Sequence, residues 1–156
     1  MNAPATSTQL RRDDAPIARA EDLKAWSLIR TLVGYDTTSR DSNLALIDWV
    51  RDYLRSFDVE STLTFDDTRK KANLFATLPA RDGNTMRDGI VLSGHTDVVP
   101  VDGQPWDTPP FEATPIGDRI FGRGVTDMKS FSATGLAFVP ELLRRGLKRP
   151  VHFALS

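Results

Sequence analysis

Apolar residues recur at helical spacing over residues 21–34, where Leu23, Trp26, Ile29, Leu32 and Val33 share one face and Gly34 supplies a stop. A second stripe, Leu46, Ile47, Val50, Leu54 and Phe57, predicts a helix over 43–57. Asp41 or Ser42 stands where a side-chain oxygen can accept from the first free amides of that helix. Alternation over 59–65 and the run "NLFATL" at 73–78, closed by Pro79, predict two strands. Residues 80–89 read as a turn-rich loop, and "IVLSG" at 90–94 has the composition of a short buried strand. Residues 101–124 are dense in proline and glycine and predict an irregular loop with a small hairpin around "TPIGDRIFG". A helix follows over 129–146, stopped by Gly146. Pro140 predicts a kink in it, because proline lacks the amide donor and its ring crowds the preceding turn. "PVHFALS" at 150–156 closes the pattern as a strand.

Strands alternating with helices predict an α/β layer built on a largely parallel sheet. At 156 residues with 40% hydrophobic positions, the default is one globular domain with a real core. Twenty basic residues against 21 acidic ones, intermixed along the chain, leave no electrostatic footprint for nucleic acid or an anionic membrane. The chain has no cysteine, so disulfides and thiolate metal sites are excluded and any metal must be held by His, Asp or Glu. Residues 1–20 lack an apolar segment of the length a secretory signal or a membrane helix needs. They read as a mobile polar leader of a cytoplasmic protein, with 21–156 as the folded unit.

The candidate chemistry starts at "VLSGHTDVVP", residues 91–100. In open α/β sheets, sites lie just beyond the carboxyl ends of strands, where His95 and Asp97 fall. Residues two apart in extended chain point the same way. Asp97 can therefore take one ring N–H of His95 and leave the other nitrogen for a metal. A strand-end histidine that merely caps a turn is the commoner role of so short a pair. The second piece is "FGRGVTDMKS", residues 121–130, in which Asp127 follows a Gly-Arg-Gly loop at a helix start. Two glycines beside an acid suggest close backbone approach. Read alone, Asp127 is the N-cap of that helix. His152 reads as a packed or surface strand residue. Lys129 and Arg123 either steady the loop, meet a substrate carboxylate, or lie on a solvated surface. Trp106 and Phe111 pin the long loop.

Taken together, "GHTDVVPVDG…W…PF…GRGVTDMK" resembles the catalytic domain of the zinc aminoacylase and carboxypeptidase family, which includes acetylornithine deacetylase, succinyl-diaminopimelate desuccinylase and related dipeptidases. Residues 32–54 are similar to bacterial acetylornithine deacetylases in particular. The resemblance implies a zinc-aminopeptidase-like three-layer sandwich with a mostly parallel mixed sheet, present here in part. It implies that His95 is a zinc ligand, that Asp97 orients it, and that Asp127 bridges two zinc ions, with cobalt as a possible substitute. It implies a cis peptide after Asp127. The implied activity is hydrolysis of N-acetylornithine to ornithine and acetate in arginine biosynthesis, with desuccinylation or dipeptide cleavage as alternatives. The implied partners are a small N-acyl amino acid and, for a full-length parent, a second subunit.

The family's paired glutamates, a general base and a further ligand, follow the strand that "PVHFALS" resembles, and the chain ends at Ser156 before them. The expectation is an amino-terminal portion of the catalytic domain, without the lid and dimerisation domain. Such a portion would bind metal weakly or not at all and would be inactive alone. The reading from another class is a non-catalytic remnant that pairs with a partner.

Overall fold

A computed structural model describes residues 19–156. Of the expected leader, residues 1–18 lie outside the described residues. Ala20 is buried and opens a short 3-10 turn, Ala20–Asp22. Two helices follow, α1 (Trp26–Gly34) and α2 (Leu44–Arg55), then strands β1 (Ser61–Phe65), β2 (Ala72–Leu78) and β3 (Ile90–Gly94). A hairpin of β4 (Thr114–Ile116) and β5 (Arg119–Phe121) precedes α3 (Ser130–Ala137), α4 (Val139–Arg145) and β6 (Val151–Leu155).

The helix expected over 21–34 is split. Leu23 is extended at φ −70°, ψ 129°, which ends the first turn, and the amide of Trp26 restarts the chain on the Leu23 carbonyl. Leu23 is exposed instead of facing the core. The helix expected over 129–146 is split at Phe138, two residues before Pro140, which sits in the first turn of α4. The prediction of a kink becomes a break, because that position tolerates proline and the helix interior does not.

The main sheet runs β1-β2-β6-β3. It is mixed, and its parallel part is the β3–β6 pair; β1–β2 and β2–β6 are antiparallel. Period-two alternation sends Ala72, Leu74, Ala76 and Leu78 of β2 to one face, with Phe153 and Leu155 of β6 beside them. That face joins Leu32 and Val33 of α1, Leu46, Ile47, Val50 and Leu54 of α2, and Leu136 of α3 in one core. The other face is open to solvent along Thr62, Thr64, Asn73, Phe75, Val91 and Ser93. Two layers of the implied three are therefore present among the described residues. The strand expected to be buried, β3, is exposed for the same reason. It pairs on one side only, and Ile90 and Val91 are 60% and 55% exposed. His152 lies on the open face yet is buried, stacked on Phe75 and sharing a hydrogen bond of 2.9 Å with the Thr77 hydroxyl.

Helix α3 crosses the sheet closely at Gly135, where an added Cβ would stand 3.0 Å from Phe153 Cε1 and 3.2 Å from Leu92 Cδ1. Gly135→Ala is expected to lower stability by about 1 kcal/mol in urea unfolding, overpacking of about 1–3 kcal/mol outweighing a helix-propensity gain of up to about 1 kcal/mol. A gain of stability would show that the helix can retreat from the sheet. No helix among the described residues is long and apolar enough to cross a membrane.

Candidate metal centre

The loop after β3 is clamped from both sides. On one side the parallel ladder continues past the strand, with the Ser156 amide donating to the Gly94 carbonyl at 3.0 Å and the Thr96 amide to the Ser156 carbonyl at 2.5 Å. On the other side lies the segment after α1. The Val98 amide donates to the Thr37 carbonyl at 3.0 Å, the Ser39 amide to the Val98 carbonyl at 2.9 Å, and the Thr37 hydroxyl to the Thr96 carbonyl at 2.6 Å. His95 is carried between these two anchors.

Asp127 comes from a wide turn, Val125–Lys129, closed by the Lys129 amide on the Gly124 carbonyl at 2.8 Å. Gly124 has φ 82°, and an added Cβ there would stand 2.7 Å from Val98 Cγ1. Conformation and close approach both demand glycine at this position. Asp127 is not a helix cap. Its backbone is extended at φ −127°, ψ 91°, the bond to Met128 is cis, and its carboxylate leaves the turn rather than folding back onto helix amides.

These two segments bring His95 and Asp127 together. His95 Nε2 lies 2.9 Å from Asp127 Oδ1. His95 Nδ1 lies 3.1 Å from Asp97 Oδ1 and 3.0 Å from the Asp97 carbonyl oxygen. Asp97 thus stands behind the ring and Asp127 in front of it, across 32 residues of sequence. Burial pulls the imidazole pKa down, but the Asp127 hydrogen bond, the Asp97 carbonyl and the two carboxylate charges together hold it above its usual value. Carboxylate or carbonyl oxygens thus face both ring nitrogens.

The three side chains open onto a cleft of about 270 Å³ whose lining includes Ser39, Arg123 and Gly124. The Arg123 guanidinium stacks on Trp106 at 5.1 Å and donates to Gln104 Oε1, so this residue steadies the long loop. Lys129 departs from the solvated-surface reading. It is buried, donates from Nζ to the Tyr35 carbonyl at 2.6 Å, and has its pKa pushed down by burial to about 8 against the pull of Asp36. Of the three readings the sequence left open for Lys129, the structure bears out the one in which it steadies the loop; no signal in the sequence marks Thr37 or Ser39, because their roles depend on which segments meet.

The donor set, an imidazole nitrogen and a carboxylate facing each other, has the chemistry of a zinc or cobalt site. Among the described residues no group of three or more His, Cys, Asp or Glu side chains is arranged to hold a metal. The pair fits as two ligands and falls short of the three that a catalytic zinc takes from protein.

Residues 91–156 match the family model described as Peptidase family M20/M25/M40. The chain is similar to an acetylornithine deacetylase from Yersinia pestis, 32% identical over 121 residues that cover 75% of this chain and 30% of that protein. An acetylornithine deacetylase from Pasteurella multocida (strain Pm70) is 32% identical over 123 residues, covering 78% of this chain and 31% of that one. Among solved structures, an M20 family metallo-carboxypeptidase from Sulfolobus solfataricus superposes with a TM-score of 0.70 at 22% identity, covering 86% of this chain and 30% of that one. Human carnosine dipeptidase 1 superposes with a TM-score of 0.64 at 18% identity over 85% of this chain and 31% of that one. The chain spans about 30% of the length of the curated relatives it matches.

Proposed function

We propose that the chain, whose residues 91–156 match the model of Peptidase family M20/M25/M40, contributes part of the metal centre of a zinc- or cobalt-dependent amide hydrolase, with N-acetylornithine as the preferred substrate. The observation that carries this is the 2.9 Å approach of His95 Nε2 to Asp127 Oδ1 in the lining of a cleft, with Asp97 bonded to the far ring nitrogen. His95 and Asp127 would hold the metal. A bound metal of this kind supplies a nucleophilic hydroxide near neutral pH and polarises the scissile carbonyl. Asp97 holds the imidazole by its Nδ1 edge, which fixes the ring and strengthens Nε2 as a donor. The substrate preference rests on the similarity to acetylornithine deacetylases.

Titration of the purified chain with zinc or cobalt, followed by calorimetry, tests the centre. His95→Ala and Asp127→Ala are each expected to weaken binding at least about tenfold, and Asp97→Asn by about 10–100-fold, the usual effect of losing a residue that orients a ligand. Equal affinity in wild type and His95→Ala would end the proposal. With His95 and Asp127 as two ligands where a catalytic zinc takes three from protein, the chain alone is expected to release no ornithine from N-acetylornithine in either metal. The preference itself is tested on the longest reading frame that holds this segment, with N-acetylornithine, N-succinyl-diaminopimelate and dipeptides in parallel; faster turnover of either rival would reassign the substrate.

A further inference from the structure

Lys129 is the one lysine or arginine buried among the described residues, at 1% exposure. It lies two residues past Asp127, and its ammonium reaches across the fold to the Tyr35 carbonyl at 2.6 Å. Its stem packs against Gly124, where an added Cβ would come within 3.2 Å of Lys129 Cδ. Tyr35 opens the segment whose next residues hold the His95 loop: Thr37 bonds the Thr96 carbonyl and the Val98 amide, and Ser39 bonds the Val98 carbonyl. Asp36, whose negative charge acts on Lys129, is itself fixed by the Thr38 amide at 3.0 Å and the Thr38 hydroxyl at 2.7 Å.

A continuous chain of bonds therefore runs from the turn of Asp127 through Lys129, Tyr35 and Thr37 to the loop of His95. Asp127 needs such support. Its side chain is 79% exposed, so packing does not set its direction, and the hydrogen bond recorded for its carboxylate is the one to His95. A buried lysine is an expensive way to fill space, since an apolar side chain of the same length avoids the desolvation of an ammonium group. What methionine could not do is bind the Tyr35 carbonyl.

We propose that Lys129 is a positioning residue: its buried ammonium ties the Asp127 turn to the Tyr35–Ser39 segment and so sets Asp127 opposite His95. This rests on reading that pair as a functional centre, but the geometric claim can be measured without metal.

The chain has two histidines, His95 and His152. In chain labelled with nitrogen-15 histidine, ring spectra therefore give one probe of the site and one control, since His152 is bonded to Thr77 on the sheet. The reference for a lost contact is Asp127→Ala, in which the His95 ring nitrogens take new shifts. In metal-free Lys129→Met, the His95 signals are expected to move most of the way to the Asp127→Ala positions, while the His152 signals stay at the wild-type values. His95 signals that remain at wild-type positions in folded Lys129→Met would overturn the proposal. Should that variant fail to fold, Lys129→Gln takes its place under the same two readings; it keeps a donor but stops short of the Tyr35 carbonyl. Cobalt affinity equal in wild type and His95→Ala would sink the metal reading and leave this result standing.

Discussion

Asn43→Ala is expected to destabilise the chain by about 2–5 kcal/mol, read as a lowered urea midpoint at pH 7 with an unchanged slope. Asn43 sits at the start of α2 and is 4% exposed. Its side chain does not cap the helix. It pairs with β2 as a neighbouring strand would, accepting from the Ala72 amide at 3.0 Å and donating to the Ala72 carbonyl at 2.9 Å. A third bond, at 3.0 Å, goes to the Thr96 hydroxyl beside His95. Alanine leaves both backbone groups of a residue that is 2% exposed without the Asn43 partner. Each buried group so orphaned costs about 1–3 kcal/mol. Asn43→Asp separates this from lost packing. It keeps the shape and the acceptor for the Ala72 amide but sets a carboxylate against the Ala72 carbonyl, so it is expected to lose about as much as alanine. A loss under about 1 kcal/mol for both variants would show that water replaces the pair, contrary to the burial of the site.

Asn43 also shows where the sequence stops being readable. The α2 stripe was legible because one helical face meets one core, and Leu46, Ile47, Val50 and Leu54 are all buried there. The β4–β5 hairpin was legible because its turn residues act locally. The nearer capping residue was legible too: the Ser42 hydroxyl accepts from the Leu44 amide at 3.2 Å. An asparagine that imitates a strand cannot be told from a cap by its neighbours in sequence. The composition of β3 identified a strand but not its place at the sheet edge, which is a property of pairing.

The site divides in the same way. His95 and Asp97 are two apart in extended chain, so their mutual contact follows from strand geometry. Asp127 looked locally like a helix cap, and only the resemblance to a family set it beside His95. Lys129 was legible as a residue that steadies the loop, meets a substrate carboxylate or lies in solvent, and nothing local in the sequence separates the three. Its burial depends on Tyr35, 94 residues away.

That burial sets a pH dependence of known sign. Between pH 7 and about pH 10.5, the stability difference between wild type and Lys129→Met is expected to move by about 3 kcal/mol in favour of wild type. Burial lowers the Lys129 pKa from 10.5 to about 8, with Asp36 opposing the shift. Below the folded value both states hold the proton, and the folded chain carries a desolvated ammonium. Between the folded and unfolded values the unfolded chain holds a proton that the folded chain has released, so stability rises with pH across that window. Methionine has no proton to release, and subtracting the two profiles cancels the other groups that titrate there. At pH 7 the variant gains by escaping the desolvation and loses by leaving the Tyr35 carbonyl without its donor, about 1–3 kcal/mol. The two nearly offset, so the variant is expected to be folded and at least as stable as wild type there. Urea midpoints at the two pH values decide it. A difference that stays constant would mean that Lys129 titrates as a solvated amine, with its head group free of Tyr35 and no hold on the Asp127 turn.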